Sequence, residues 1–278
     1  MKSEIIGLTD WLDTPPGAYL LDWERLHFDL AVSDIFGYHS LQLGFPELDA
    51  LQANRMPHKW LALASLEKQT LRFPLKGKSE RPTGLESISS PRTAIYTDSA
   101  ALPFPESSLD LVAMPHTLEL GSDPHSALRE VARVLVPEGR VVISGFNPAS
   151  LWGLRQRRDH LYQRFGYEGF FLPDTGKYIG YWRLRDWLRL LDFELESAQF
   201  GCYRPALKSQ QWLDRFDWMD PVGKRWWPIF GAVYFLVAVK HVRGMRLLEP
   251  GWKTHKSLAT APAIVASKKP ADCVKISG

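Results

Sequence analysis

Three stretches of this sequence place polar or turn-forming residues where an apolar run ends, which is where parallel-sheet proteins assemble their chemistry. In "HSLQLGFPELDAL" (39–51) an apolar strand runs into Gly44. Glycine there lets backbone approach a ligand closely, because it has no Cβ and tolerates a positive φ. Phe45, Pro46 and Glu47 follow, where a cofactor loop commonly supplies more glycines. In "TDSAALPF" (97–104) Asp98 precedes a turn. A carboxylate at that place can accept the protons of an amino group, or it can simply close the turn. In "LDLVAMPHTLEL" (109–120) His116 ends the apolar run. Its ordinary pKa near neutrality suits a general base, with packing or hydrogen bonding as the plainer role. Glu119 reads either as facing a pocket mouth or as bonded to the helix that follows.

The elements that must position these residues are legible from apolar periodicity. "TPPGAYLLDWERLHFDLAVSDIFG" has a turn at Pro15-Pro16-Gly17 and then a helix, with Trp23, Leu26 and Leu30 at helical spacing and Gly37 as its stop. "HSLQLG", "KWLALAS", "TAIYTD", "LDLVAM" and "RVVISG" read as strands. Asp123 or Ser122 caps a helix with Pro124 in its first turn. Leu128, Val131 and Leu135 form its inward stripe, and "PEG" ends it. Leu184, Trp187, Leu188 and Leu191 mark an amphipathic helix, and "FELESAQFG" and "GAVYFLVAVK" the last two strands. Residues 66–92 are broken by prolines and glycines and read as a mobile lid or a shortened helix with loose flanks.

Strand and helix in alternation is the pattern of a mostly parallel sheet wrapped by helices on both faces. The spacing predicts one domain over 1–252, with an N-terminal helical extension and aromatic and basic insertions at 147–182 and 203–230. Residues 253–278 read as a disordered tail.

Composition narrows the functions. With 45% hydrophobic and 23% charged residues the chain is a soluble globular type. The net charge of +3 is too small to demand a nucleic-acid partner. The longest apolar run, "IFGAVYFLVAV", falls short of the ~20 residues a membrane span needs. The N-terminus lacks a secretory h-region, and Cys202 and Cys273 are far apart with no metal-like spacing, so no metal site and a reducing, cytoplasmic setting are expected. The 11 Trp are concentrated in the second half, more than a core needs. Eight Lys/Arg against four Asp/Glu lie in 151–189, interleaved with aromatics. The readings are a solvated basic cover, a surface for anionic lipid or a lipophilic acceptor, or, least favoured, nucleic acid.

From Thr97 to Pro148, "TDSAALPFPESSLDLVAMPHTLELGSDPHSALREVARVLVPEGRVVISGFNP", the sequence resembles class I S-adenosylmethionine-dependent methyltransferases of the methyltransferase type 11 kind. Those carry a "D-x-x-x-L-P-F" turn, an "LEH"-like stretch and "REhxRVLxPGG" in the same order; Leu120 stands at their histidine. The resemblance implies a Rossmann-like seven-stranded sheet, six strands parallel and the last antiparallel, with S-adenosylmethionine over the carboxyl ends of the first strands. It implies Asp98, Ser99 and Ala100 beside the adenine, and Met114, Pro115 and His116 toward the methionine part, with His116 the candidate catalytic residue. It further implies that Gly44 and Phe45 belong to the cofactor loop and that Ser65 stands near the usual ribose-binding acid. "GFNP" is similar to the acceptor motif of amino-group methyltransferases but follows strand five, so Asn147 is read as a turn residue bordering the acceptor pocket. A small or lipophilic acceptor, with peripheral membrane contact, is the expected partner. The alternative is a non-catalytic binding or scaffolding protein on the same fold.

Overall fold

In the computed structural model, which describes residues 11–63, 93–163, 171–172, 178–207 and 209–241, the apolar runs become one sheet. Its strands are β1 (His39–Leu43), β2 (His58–Leu63), β3 (Thr93–Tyr96), β4 (Leu109–Pro115), β5 (Leu135–Phe146), β6 (Phe193–Gly201) and β7 (Val233–Lys240). They are ordered β3-β2-β1-β4-β5-β7-β6. The β1 strand pairs parallel with both β2 and β4, and only β7 runs against its neighbours. This is the seven-stranded, mostly parallel architecture expected. The chain reverses its direction of winding between β1 and β4, the position where open α/β sheets leave a crevice outside the strand ends.

The α-helices with described bounds are α1 (Pro15–Ser33), α2 (Thr117–Leu120), α3 (Pro124–Val134), α4 (Leu151–Gln163), α5 (Tyr181–Leu190), α6 (Gln210–Arg215) and α7 (Met219–Trp226), and a 3-10 turn follows at Pro228–Phe230. Strand alternation divides the core between the two faces of the sheet. On one, Leu111 and Ala113 of β4 join Phe28 and Val32 of α1, together with Leu48 and Leu51. On the other, Val112 and Met114 join Leu128 and Val131 of α3 and Leu184 and Leu188 of α5. Asp123 caps α3 as expected, accepting from the backbone N–H groups of His125 (3.0 Å) and Ser126 (3.2 Å).

Two local expectations are corrected. In α1 the residues Leu26 and Leu30 are exposed, 57% and 64%. The buried row is Leu20, Glu24, Phe28 and Val32, and the helix ends at Ser33 rather than at Gly37. The i, i+4 spacing was real, but a carboxylate on the inner row disguised which face is buried. Likewise "PEG" does not end α3, which stops at Val134; Leu135 pairs with Leu109 and opens β5, so Pro137–Gly139 lies within the strand.

The described residues belong to one compact unit, Met1–Val242. Ser65, the segment 66–92 and the tail 253–278 lie outside the described residues. Among the described residues no helix is long and apolar enough to cross a membrane, and no group of side chains is arranged to hold a metal ion.

Candidate functional site

The carboxyl end of β1 leads into a turn built on two successive left-handed residues, Gly44 (φ 65°) and Phe45 (φ 50°). A bulky residue rarely adopts that conformation, and such strain persists only where the surroundings enforce it. The enforcing group is Gln42. Its Nε2 donates to the carbonyls of Gly44 (3.2 Å), Phe45 (2.9 Å) and Leu48 (2.7 Å), and its Oε1 accepts from Ala50 N (3.0 Å). Gly44 N also donates to Ala62 O at 2.7 Å, tying the turn to β2. One buried amide thus does the work that a glycine-rich loop spreads over its backbone. Gln42→Leu keeps the volume but orphans these carbonyls and Ala50 N, and is expected to cost about 1–3 kcal/mol per unsatisfied buried group; urea unfolding measures it.

Above the turn lies a crevice of about 100 Å³ bordered by Gly44, Phe45, Ala62, Ser99, Thr117 and Leu120. Gly44 suits the floor of a ligand site. A Cβ added there would project into space whose nearest neighbour is Thr117 Oγ1 at 3.8 Å, so the cradle is one that a side chain would occupy. Thr117 itself is fixed by donating to Leu43 O at 2.5 Å. Phe45 borders the crevice, while its ring is buried in the core on the α1 face, with its centroid 5.5 Å from that of His116. The ring is therefore stored beneath the turn, and a glycine is not required at 45 to clear it away.

The other expected site residues divide. Ser99 lines the crevice beside Gly121. Asp98 is exposed and does not line it; its Oδ1 accepts from Ala100 N at 3.1 Å, closing the turn that presents Ser99. Met114 is fully buried among Leu43, Leu118 and Val131 on the α3 face, so it does not reach the crevice, because strand alternation points it into the core. Pro115 ends β4 inside the sheet and pairs with Ser144.

His116 departs furthest from expectation. It is left-handed (φ 50°) and only 1% exposed, turned away from the crevice into a buried cluster. Its Nε2 lies 2.9 Å from Glu24 Oε1 of α1, and its Nδ1 donates to Glu119 Oε2 at 3.0 Å. Glu119 Oε1 accepts from Phe146 N at 2.6 Å, so Glu119 faces neither a pocket mouth nor the following helix. The Glu24 contact is at ion-pair distance but off the hydrogen-bonding direction, leaving both Glu24 oxygens without a hydrogen-bond partner among the described residues. Burial alone favours neutral imidazole; the Glu24 charge and the bond to Glu119 outweigh it and raise the His116 pKa to about 10. Burial likewise pushes the Glu119 carboxyl upward, against the pull of His116. At neutral pH this geometry makes His116 a held cation, a poor proton acceptor.

Asn147 is buried, with its Nδ2 donating to Ile229 O (2.7 Å) and Gly231 O (3.0 Å), so it fastens the loop before β7. Sequence reasoning missed Gln42 and Glu24. Glu24 was visible as the single polar residue in the helical row of Leu20, Phe28 and Val32, whereas Gln42 shares its strand row with Ser40 and carried no such signal.

Residues 82–143 match the family model described as a methyltransferase domain. An uncharacterized protein, YafS, of Escherichia coli K12 is 40% identical over 104 residues, 37% of this chain and 40% of that protein. A malonyl-[acyl-carrier protein] O-methyltransferase of Halorhodospira halophila is 41% identical over 61 residues, 22% of this chain and 21% of that one. The chain thus spans less than half the length of these relatives. Among solved structures, the complex between the Haloferax volcanii Trm112 methyltransferase activator and a putative methyltransferase aligns with a TM-score of 0.53 at 16% identity. That alignment covers 87% of this chain and 98% of the other, a likeness of fold.

Proposed function

We propose that this chain, a member of the class I S-adenosylmethionine-dependent methyltransferase family, binds S-adenosylmethionine over Gly44 and transfers its methyl group to a small or lipophilic acceptor. The observation that carries the reading is the crevice at the β1/β4 reversal, floored by a left-handed glycine that leaves room for a ligand. Bound there, the cofactor supplies an already activated sulfonium methyl. The chain's own part is then chiefly to orient the two reactants, which can lower a barrier by about 7–11 kcal/mol in well-aligned systems. Gly44 permits close approach, Leu120 and Ala62 give apolar walls, and Ser99 offers a hydroxyl.

His116 is not assigned as the base, because it is sealed and cationic. The same sealing favours a second reading, a methyltransferase-fold binding protein without catalysis. The crevice of about 100 Å³ is also small beside the ~300–1,000 Å³ of ordinary ligand pockets.

Thermal unfolding with S-adenosylmethionine and S-adenosylhomocysteine separates the two. Ligand at about 100 times its dissociation constant stabilises by ~2.7 kcal/mol; no shift at saturating solubility rejects the cofactor reading. Asp98→Ala is expected to weaken that ligand effect while changing stability by less than about 1 kcal/mol, since it loosens an exposed turn that presents Ser99. Equal ligand affinity in calorimetry would remove the turn from the site.

A further inference from the structure

The end of α7 and the start of the turn that leads to β7 present seven consecutive exposed residues, Lys224, Arg225, Trp226, Trp227, Pro228, Ile229 and Phe230. Trp226 is 75% exposed and Phe230 55%. Large apolar side chains in such a run normally fold inward, and here the backbone is held so that they do not. Tyr203 Oη donates to Pro228 O at 2.8 Å, and Asn147 takes the next carbonyl and that of Gly231. Gly223 packs so closely on Tyr203 that an added Cβ would stand 2.4 Å from its ring. The tip is therefore built in advance, and inserting it into an apolar medium costs little further ordering.

Its charge is one-sided. Lys224 and Arg225, in the last turn of α7, form no ion pair among the described residues. The nearby acids Asp217 and Asp220 are both taken up by Arg204, and Asp214 accepts from Gln210 Nε2 at 2.8 Å. Two further tryptophans are exposed in the same insertion, Trp212 on α6 (51%), with Arg215 over its ring, and Trp218 just before α7 (56%). Tryptophan beside free cations is the chemistry of a bilayer interface bearing anionic headgroups: the rings settle at headgroup level and the cations meet phosphate.

We infer that the 224–230 tip docks this protein on an anionic phospholipid surface. The tip lies where β7 begins beside the carboxyl end of β5, the same edge of the sheet as the crevice. Docking would therefore turn that edge toward the lipid, and it does so whether or not the protein methylates anything.

The test is flotation of the full chain with vesicles of phosphatidylcholine alone and of equal parts phosphatidylcholine and phosphatidylglycerol. Flotation is expected on the second, with a blue shift of tryptophan emission. Trp226→Ser with Trp227→Ser is expected to weaken it by about tenfold or more. Lys224→Glu or Arg225→Glu should weaken it by about fivefold or more each, with the thermal midpoint unchanged. Absence of flotation, or equal flotation of the double serine variant, overturns the inference. So does a tip that drives self-association in the ultracentrifuge without vesicles, since the occupant would then be a second copy of the chain.

Discussion

His116→Ala is expected to lower the stability of the fold by about 3–5 kcal/mol, the cost of removing one partner from a buried ion pair. For a domain this size that is a fall of roughly 10 °C in the unfolding midpoint. The reason is not a lost contact alone. Without the imidazolium, Glu24 (0% exposed) and Glu119 (4% exposed) are left as two buried carboxyl groups with no cation between them. Adding Glu24→Gln to the variant removes one of those charges and should restore part of the loss. The pH dependence carries a sign. The His116 pKa is raised from 6.5 to about 10 in the folded protein, so its contribution is complete below about 6.5 and declines as the pH climbs through 10. Glu119, also raised, acts in the same direction from its own ordinary range upward. Wild-type stability should therefore fall between neutral and alkaline pH, with a shallower slope in His116→Ala. Thermal unfolding from pH 6 to about 10 measures both, and equal slopes would show that the cluster is not charged as described.

Leu120→Trp is expected to reduce affinity for S-adenosylmethionine by at least about 100-fold, or roughly 2.7 kcal/mol, with little change in stability. Leu120 is 43% exposed and borders a crevice of only about 100 Å³, so an indole there fills the space a ligand needs without disturbing the core. Gly44→Val makes the same point from the floor. Its Cβ would enter the cradle, and the left-handed backbone adds strain of order 1–3 kcal/mol, so this variant loses stability as well as binding. Isothermal titration with S-adenosylhomocysteine reads both. Wild-type affinity in Leu120→Trp would place the ligand elsewhere.

How much of this was legible in the sequence depends on which force fixed each part. The strands were plain, because β4 after Asp110 and β7 up to Lys240 are apolar runs bounded by turns, and the cap at Asp123 is a local device with a local signature. The face of α1 was not, since the residue that decides it, Glu24, is polar and makes sense only beside His116, 92 positions away. Gly44 announced a close approach, but nothing local said how Phe45 could follow it. The answer lies in Gln42, which takes three carbonyls at once, and in a ring stored under the turn. His116 ended the right strand; its direction was set by α1, which reaches back over the sheet. Long-range polar pairing was the part that periodicity does not encode.

Cofactor binding by this protein requires a ligand site above Gly44. The most direct measurement is a crystal structure of the protein soaked with S-adenosylhomocysteine. Ligand density between Gly44, Ser99 and Leu120, with Phe45 still packed beneath the turn, is the predicted result. A ligand-free crevice at saturating concentration, or the Phe45 ring swung up to fill it, would contradict cofactor binding at this site.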